Sequence, residues 1–358
     1  MNARVPIGLV LLAIASTACL PGRSHPSRPQ IGSGVAHTCL LSVDGRVTCW
    51  GQGANPEATP DAFARPVEIP GWSSGVRAIG IGWYHACAAL SDGRVECWGR
   101  NESGQLGDGT RVDSFLPVRV EGVGAVVALT AGAAHTCAQT EGGEVHCWGS
   151  NSGGQLGDGS TEDRPSPAQV LDLDEPMTEV VAGSAFTCGL TDQGRVLCWG
   201  EFPFLPDSGP AHPVPVPIPG LPADIEELAP GDYHLCLRTS AGNVSCIGSI
   251  FTAEDPAAGP PFDLTGLAGQ VDDILAGADF ACAATAKGFA ACWGDNYFGQ
   301  LGDLAPAGRT PTWVPGLSQV TRLGGGHYTA CALAADGGVT CWGDTSFGQL
   351  GDGSARWK

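Results

Sequence analysis

Cysteine is the residue type whose spacing in this sequence points most directly to a defined chemistry. Seven pairs of cysteines share a separation of ten residues. They are Cys39 and Cys49, Cys87 and Cys97, Cys137 and Cys147, Cys188 and Cys198, Cys236 and Cys246, Cys282 and Cys292, and Cys331 and Cys341. Zinc sites usually bring two cysteines two to four residues apart, and that spacing does not occur here. The pairs therefore predict seven disulfides and an oxidising compartment.

A β-hairpin is the element that would position each pair. A glycine follows every first cysteine by six positions, and in the first pair residues 42–45 fit a type I turn with Gly45 in the left-handed bulge position. Counting outward from the turn, Leu41 faces Val47 and Cys39 faces Cys49. That facing pair is non-hydrogen-bonded, so its side chains approach most closely, as a disulfide requires.

The hairpin belongs to a repeat of 46 to 51 residues, a period typical of propeller blades. Each unit predicts four short strands, A to D. Strand A is apolar and ends in glycine, B and C carry the cysteines, and D begins near a proline, as an edge strand tolerates. The sequence therefore predicts an all-β, seven-bladed β-propeller over residues 28–358, with one disulfide hairpin in each blade.

Ring closure is the point at which the pattern is incomplete. Blade seven has strands A to C from Val320 to Gly343, but no proline-led strand D follows. We expect a three-stranded final blade, or one completed only by a short pairing of Ser354 to Lys358. An edge of that kind favours fraying.

Two segments carry a more specific resemblance. They are GIGWYHACAALSDGRVECWGRNESGQLGDGT (residues 80–110) and AGAAHTCAQTEGGEVHCWGSNSGGQLGDGS (residues 131–160). Both resemble the repeat of the regulator of chromosome condensation family, in which glycine, two variable residues and histidine precede the hairpin and WGxNxxGQLG follows it. The resemblance covers residues 28–354. Blades one, four and five lack GQLG, and blade five has Ile247 in place of tryptophan.

That family implies several activities. Its nuclear namesake resembles a nucleotide exchange factor for a small GTPase, and another member is an exported bacterial β-lactamase inhibitor that clamps a protein with one propeller face. We expect a non-enzymatic propeller that binds a protein or surface polymer. The alternatives are a cell-surface glycan hydrolase or lyase, and an exchange-factor-like activity.

The amino terminus predicts export. Residues 1–18 combine Arg4, an apolar run from Val5 to Ala15 and small residues before Cys19, which is the architecture of a signal peptide. Residues 16–19 resemble the lipobox of bacterial lipoproteins, so we expect Cys19 to be acylated and residues 19–27 to form a tether. The expected location is the outer membrane or cell surface, with a periplasmic or secreted protein as the alternative.

The charge of the chain limits its partners. The formal net charge is −19, and only two lysines occur. No basic tract is available to neutralise phosphates, so we expect no nucleic-acid partner. We also expect a monomer that needs no cofactor.

Four histidines occupy one repeat position, namely His37, His85, His135 and His234, while Phe186, Phe280 and Thr329 replace them in the other blades. Convergence on a central metal is one interpretation. A structural role is the other, and we favour it because the substitutions leave the repeat intact. We expect no metal site and no catalytic site.

Aromatic residues suggest a binding face. In an antiparallel blade the AB and CD loops emerge on one side and the BC hairpins on the other. Aromatic side chains are anchors of protein recognition surfaces, and those predicted for this face are Trp83, Tyr84, Tyr233, His327, Tyr328, Tyr297, Phe298 and Phe347, with Phe202 and Phe204 as further candidates. We expect about half of them to pack inward.

Overall fold

The computed structural model describes residues 29–52, 64–202, 211–250, 262–264, 266–267, 270–302 and 306–352. The predicted signal peptide, Cys19 and the tether to Ser27 lie outside the described residues, as do Phe204 and Ser354 to Lys358. All regular structure in the described ranges is β-strand. The described ranges contain no helix that is long and apolar enough to cross a membrane.

The strands form seven blades, and the letters A to D denote the strands of a blade in chain order. Blade one has β1 (Gln30–Ser33), β2 (His37–Leu41), β3 (Val47–Gly51) and β4 (Val67–Glu68). Blade two has β5 (Val76–Ile81), β6 (His85–Leu90), β7 (Val95–Gly99) and β8 (Ser114–Val120). Blade three has β9 (Val126–Ala131), β10 (His135–Thr140), β11 (Val145–Gly149) and β12 (Arg164–Gln169). Blade four has β13 (Met177–Ala182), β14 (Phe186–Thr191), β15 (Val196–Gly200) and β16 (His212–Pro217). Blade five has β17 (Ile225–Pro230), β18 (His234–Thr239), β19 (Val244–Gly248) and β20 (Phe262–Asp263). Blade six has β21 (Val271–Ala276), β22 (Phe280–Thr285), β23 (Ala290–Gly294) and β24 (Gly308–Trp313). Blade seven has β25 (Val320–Gly326), β26 (Thr329–Ala334) and β27 (Val339–Gly343).

The predicted hairpin register is confirmed. The N–H of Ser42 donates to the carbonyl of Arg46 at 2.9 Å, Gly45 has a φ of 77°, and Cys39 faces Cys49. All seven predicted disulfides are present, with Cα atoms 4.0 to 4.1 Å apart. This spacing is that of a non-hydrogen-bonded antiparallel pair. Each blade therefore has one covalent link across its two middle strands.

The A strands stand around a central channel. A cavity of about 330 Å³ is lined by residues of all seven A strands and, in blades two to seven, by residues that follow strand A. A glycine follows strand A because the ring three residues later, at the repeat position of His85, occupies the space that a side chain on the glycine would need. A Cβ at Gly82 would lie 2.5 Å from Nδ1 of His85 and 2.7 Å from the carbonyl of Gly132 in the next blade. The apolar core lies between neighbouring blades, as in the cluster that joins Leu41 to Trp98.

Where a blade carries the GQLG segment, that segment contacts the following blade. Its glutamine carbonyl accepts a hydrogen bond from the indole N–H of the following blade: Gln105 from Trp148 at 2.9 Å, and Gln300 from Trp342 at 2.9 Å. Blades one and five lack GQLG, and among the described residues the indole N–H groups of Trp98 and Trp293, in the blades that follow them, have no partner. The indole N–H of Trp199 likewise has no partner within the described ranges, although Thr187 donates to the Gln155 carbonyl at 2.9 Å.

The repeat histidines form a second contact between blades. Nε2 of His85 lies 2.9 Å from Oγ1 of Thr136, and Nε2 of His135 lies 3.0 Å from Oγ1 of Thr187. The hydroxyl of Thr136 donates to the Gln105 carbonyl at 3.1 Å. Because that hydroxyl has only one proton, His85 donates through Nε2 to the Thr136 oxygen.

The same contact becomes apolar where phenylalanine replaces histidine. Phe186 packs with Leu235, and Phe280 packs with Ala330. His37 and His234 precede blades that present Ala86 and Ala281, and Nε2 of each lacks a hydrogen-bond partner within the described ranges. In most blades, therefore, the residue at the histidine position suits the residue that the following blade presents to it. Blades one and five are the exceptions.

The ring closes between blades seven and one. Within the described residues blade seven has three strands, and its strand A pairs in parallel with strand A of blade one at Gly32 and Gly325. The two strands approach so closely that a Cβ at Gly324 would collide with the Ile31 carbonyl, and one at Gly326 with the Ser33 carbonyl. The whole closure therefore depends on glycine in strand A and on the contacts of the last GQLG segment.

Candidate functional site at the AB and CD loops

Two residues form each AB loop, and the fold gives them different directions. The first residue follows the glycine that ends strand A and belongs to the set Val35, Trp83, Ala133, Ser184, Asp232, Ala278 and His327. The second belongs to the set Ala36, Tyr84, Ala134, Ala185, Tyr233, Asp279 and Tyr328. Four members of the first set line the channel, namely Trp83, Ser184, Asp232 and His327, whereas no member of the second set does.

The AB and CD loops of a blade are joined through their backbones. The first CD residue donates its N–H to the carbonyl of the second AB residue: Arg100 to Tyr84 at 2.9 Å, Asp295 to Asp279 at 2.8 Å and Asp344 to Tyr328 at 3.0 Å. The guanidinium of Arg100 also lies over the Tyr84 ring, 4.3 Å from its centroid. Both loop types therefore form one face of the disc, with paired positions in successive blades.

Three side chains from distant blades meet at the channel mouth. The Trp83 and His327 rings pack edge to face with centroids 4.9 Å apart, and Nε2 of His327 lies 3.8 Å from a carboxylate oxygen of Asp232. Burial lowers the pKa of His327 to about 4, while burial and the charge of Asp279 raise the pKa of Asp232 to about 7. Since 3.8 Å exceeds a hydrogen-bond distance and both shifts favour uncharged forms, we treat the contact as a neutral one.

Aromatic rings continue from the channel mouth across blades seven and six. Tyr328 lies 4.0 Å from His327 and 4.6 Å from Phe298, and Phe298 lies 4.9 Å from Tyr297, all between centroids. Tyr297 is 83% exposed, and Tyr233 in blade five is 47% exposed. The rings nearest the axis are thus buried, and those farther out are open to solvent.

Carboxylates surround these tyrosines. Burial and then the charge of Asp295 raise the pKa of Asp279 to about 6. Burial and the charges of Asp279, Asp232 and Asp295 raise the pKa of Tyr328, while burial, Asp232 and Asp279 act in the same direction on the pKa of Tyr233. We call the group Tyr233, Tyr328, Phe298, Asp232, Asp279 and Asp295 the acidic aromatic patch.

The cavity itself has few groups for chemistry. Its lining contains two ionisable side chains, Asp232 and His327. Glycoside hydrolysis usually uses a pair of carboxyl groups across the scissile bond, and within the described lining only one carboxyl group is present. Nor do the described ranges group three His, Cys, Asp or Glu side chains as a metal site requires.

The comparisons with known proteins agree with this geometry. One model of the regulator of chromosome condensation (RCC1) repeat matches residues 92–139 and 142–190, and a second matches residues 30–55, 76–105, 126–155 and 320–349. The chain belongs to the RCC1-repeat family. The matched ranges of the two models together reach blades one to four and blade seven. No curated protein sequence matches this RCC1-repeat chain.

Solved structures show the same fold. Human WBSCR16 has 20% sequence identity over 87% of this chain and 88% of its own, with a TM-score of 0.76. Prp20p from Saccharomyces cerevisiae has 19% identity over 83% of this chain and 80% of its own, with a TM-score of 0.69. The CRINKLY WD40 ectodomain of the Arabidopsis thaliana receptor kinase ACR4 has 19% identity over 88% and 95%, with a TM-score of 0.53. The RCC1-repeat propeller fold is therefore established.

The RCC1-repeat fold distributes the predicted face residues between three environments. Tyr84, Tyr233, Tyr297 and Phe298 are exposed on the face, at 36% or more of their surface. Trp83, Tyr328 and Phe347 are half-buried, and His327 is largely buried at the channel mouth. Phe202 is buried and stacks on His212 with centroids 4.8 Å apart.

The repeat histidines do not converge. His37, His85, His135 and His234 start the B strands of four different blades and are buried between neighbouring blades. Burial lowers the pKa of His37, His135 and His234 to about 4 and that of His85 to about 3. These uncharged rings contribute to the packing of RCC1-type blades.

Asp232, Asp279 and Asp295 are not among the binding residues predicted from the sequence, although Asp232 stands in a predicted AB loop. A signal was available, because each stands at a fixed distance from a cysteine. Asp232 lies four residues before Cys236, Asp279 three before Cys282, and Asp295 three after Cys292. In an RCC1-repeat propeller those are the first AB position, the second AB position and the first CD position.

Proposed function

We propose that this chain is an exported, lipid-anchored propeller that binds a protein partner through its AB and CD loop face and catalyses no reaction. The observation that carries the proposal is the concentration of exposed aromatic rings on that face. Seven described phenylalanine, tyrosine and tryptophan residues are at least 36% exposed, and four of them, Tyr84, Tyr233, Tyr297 and Phe298, lie in these loops. Exposed aromatic anchors in a polar surround are typical of protein recognition sites.

The construction of the loops supports a rigid face. In the CD loop of blade two the Asn101 side chain is fully buried, accepts from the N–H of Leu106 at 2.9 Å and donates to groups of Asp108 and Thr110. Asn151 repeats these contacts in blade three. A face that is ordered before binding loses less conformational entropy when a partner docks.

The compartment and the relatives point in the same direction. Seven disulfides are stable in an oxidising environment, which fits the export proposed from residues 1–19. The yeast structures describe the binding of Prp20p to Gsp1p and histones, and Kap60 bound to it. Propellers of this fold therefore serve as protein-binding platforms, and we extend that role to this chain.

Affinity capture with matched surface variants tests the proposal. The mature chain beginning at residue 19 is immobilised as wild type, as a face variant with Tyr84, Tyr233 and Tyr297 changed to alanine, and as a control with Arg46, Arg94 and Arg195 changed to alanine in the BC hairpins. Trp83 is kept because it packs against His327. We expect the wild type and the control to retain the same protein and the face variant to lose it, without a change in Tm. Equal retention or equal loss by both variants would contradict the face assignment.

A further inference from the structure

Charge is distributed unevenly over the AB and CD loop face. No lysine or arginine occurs in the sequence of the AB and CD loops of blades four, five and six. These loops are residues 183–185, 201–211, 231–233, 249–261, 277–279 and 295–307. The acidic residues there include Glu201, Asp232, Asp279 and Asp295. On the other side of the ring, Arg111 pairs with Asp163 at 3.2 Å and Arg164 with Asp158 at 2.8 Å. The acidic aromatic patch therefore lies in the half of the face that lacks cations of its own.

The patch also brings aromatic rings and carboxylates into one place. The Tyr328 ring of blade seven packs against Phe298 of blade six with centroids 4.6 Å apart. The charges of Asp232 and Asp279 raise the pKa of both Tyr233 and Tyr328, which belong to blades five and seven. Asp279 and Asp295 are fixed side by side by their 2.8 Å backbone hydrogen bond. A cation placed here gains attraction from the carboxylates and from the negative faces of the rings.

We infer that the acidic aromatic patch binds lysine or arginine side chains of a basic segment in the protein partner. This inference rests on the proposed function and names the chemistry of its partner. The Asp295 carboxylate accepts hydrogen bonds from the Tyr297 N–H at 3.2 Å and the Gln300 side chain at 3.0 Å, but neither donor carries a charge. An acidic segment would meet like charges here, and an apolar one would bury them without a compensating cation, which costs free energy. A basic segment matches both the carboxylates and the rings, and the charge complementarity would also accelerate encounter.

A defined peptide tests the inference. Fluorescein-labelled hexalysine is titrated with the mature chain at low ionic strength, and binding is followed by fluorescence anisotropy. The comparison peptide is the same hexalysine with every lysine acetylated. We expect hexalysine to bind, the acetylated peptide to bind at least about tenfold more weakly, and added salt to weaken the binding.

Matched charge variants locate the site. Asp279→Asn with Asp295→Asn removes two charges from the patch, and Asp192→Asn with Asp336→Asn removes two from exposed BC hairpins on the opposite face. Only the patch pair should weaken hexalysine binding by about tenfold, whereas the hairpin pair should change it less than about twofold. Tyr233→Leu with Tyr328→Leu should weaken it by about threefold or more, because the cation–π contacts are lost.

A pH series gives a second readout. Lysine stays charged between pH 5 and 8, His327 stays neutral, and Asp279 and Asp232 ionise near pH 6 and 7. Among the described residues, the carboxylates of Glu201, Asp295 and Asp344 also act on Tyr233, Asp279 and His327, respectively. Binding of hexalysine should therefore tighten as the pH rises from 5 to 8 in the wild type, and less so in the Asp279→Asn and Asp295→Asn variant.

The outcomes separate this inference from the proposed function. Equal weakening by the patch and hairpin pairs, equal binding of acetylated hexalysine, or no binding of hexalysine would overturn the inference. A captured partner that is lost by the Tyr84, Tyr233 and Tyr297 variant but retained by Asp279→Asn with Asp295→Asn would also overturn it, while leaving the proposed function intact. Retention of that partner by both variants would instead refute the proposed function.

Discussion

The indole N–H of Trp50 donates a 2.7 Å hydrogen bond to the backbone carbonyl of Gln349, 299 residues later in the chain. The hydroxyl of Thr38 donates to the same carbonyl at 2.8 Å, and the N–H of Gln52 donates to the carbonyl of Phe347 at 2.9 Å. The last GQLG segment thus holds blade one in the way that an interior GQLG segment holds its neighbour. Within the described residues, this repeat motif and the parallel pairing of β25 with β1 join the two ends of the ring.

Separate substitutions of Trp50 and Trp98 should measure the contribution of the hydrogen bond between Trp50 and Gln349 to stability. Trp50→Phe removes a bonded donor, whereas Trp98→Phe removes a buried donor that has no partner in the described residues. Both changes remove the same atoms, so their packing losses largely cancel in the comparison. We expect Trp50→Phe to lower the unfolding free energy by about 1 kcal/mol more than Trp98→Phe, measured by denaturant unfolding under non-reducing conditions. Equal destabilisation would show that the hydrogen bond contributes nothing to closure.

The contact between blades predicts a stabilising substitution. His37 is buried, and burial lowers its pKa to about 4. Its Nε2 has no hydrogen-bond partner in the described residues, and its ring lies 5.2 Å from that of Trp98. His37→Phe would reproduce the pair that Phe280 makes with Ala330. The unfolded histidine has a pKa of about 6.5, so below that pH the unfolded state binds more protons and the wild type loses stability as the pH falls towards 4. We expect His37→Phe to stabilise the protein, with a gain at pH 5 about 2 kcal/mol larger than at pH 8.

His85→Phe is the matched control. It removes the same ionisable group, but it also removes the hydrogen bond to Thr136 and leaves that hydroxyl with one fewer partner. At pH 8, where the histidine charge contributes nothing, His85→Phe should therefore destabilise the protein by about 1 kcal/mol. Unfolding curves at pH 5 and pH 8 for both variants give the comparison. A stabilisation by His37→Phe that does not change with pH would contradict the role assigned to burial.

The local parts of this fold could be predicted from sequence because they depend on neighbours in the chain. The register that brings Cys39 to Cys49 follows from a turn of four residues. Which side chains turn towards the axis does not, because it depends on seven loops meeting in space. Trp83 and Tyr84 are adjacent, yet Trp83 contacts His327 of blade seven while Tyr84 contacts Arg100 of its own blade. Asp279 and Asp295 likewise meet only through the backbone of a folded blade.

The proposed lipidation of Cys19 predicts a separable anchor. Residue 19 precedes β1 by eleven positions, so Cys19→Ala should release the protein from membranes without a change in Tm. Incorporation of labelled palmitate into the wild type, and its absence from Cys19→Ala, measures the modification directly. A wild-type protein that never incorporates palmitate would show that Cys19 is not acylated.

The most accessible disulfide is that of blade seven. Of the fourteen paired cysteines only Cys341 is not buried, and β27 is more exposed along its length than the third strand of any other blade. Because thiol–disulfide exchange requires access to a sulfur atom, a mild reductant should open Cys331–Cys341 before the other six bonds. Timed alkylation followed by mass spectrometry of peptides gives the order of reduction. Hydrogen exchange should likewise be faster in β27 than in β7, β11 and β15. Simultaneous reduction of all seven bonds, or earlier loss of an interior one, would show that exposure of β27 does not make this end of the ring labile.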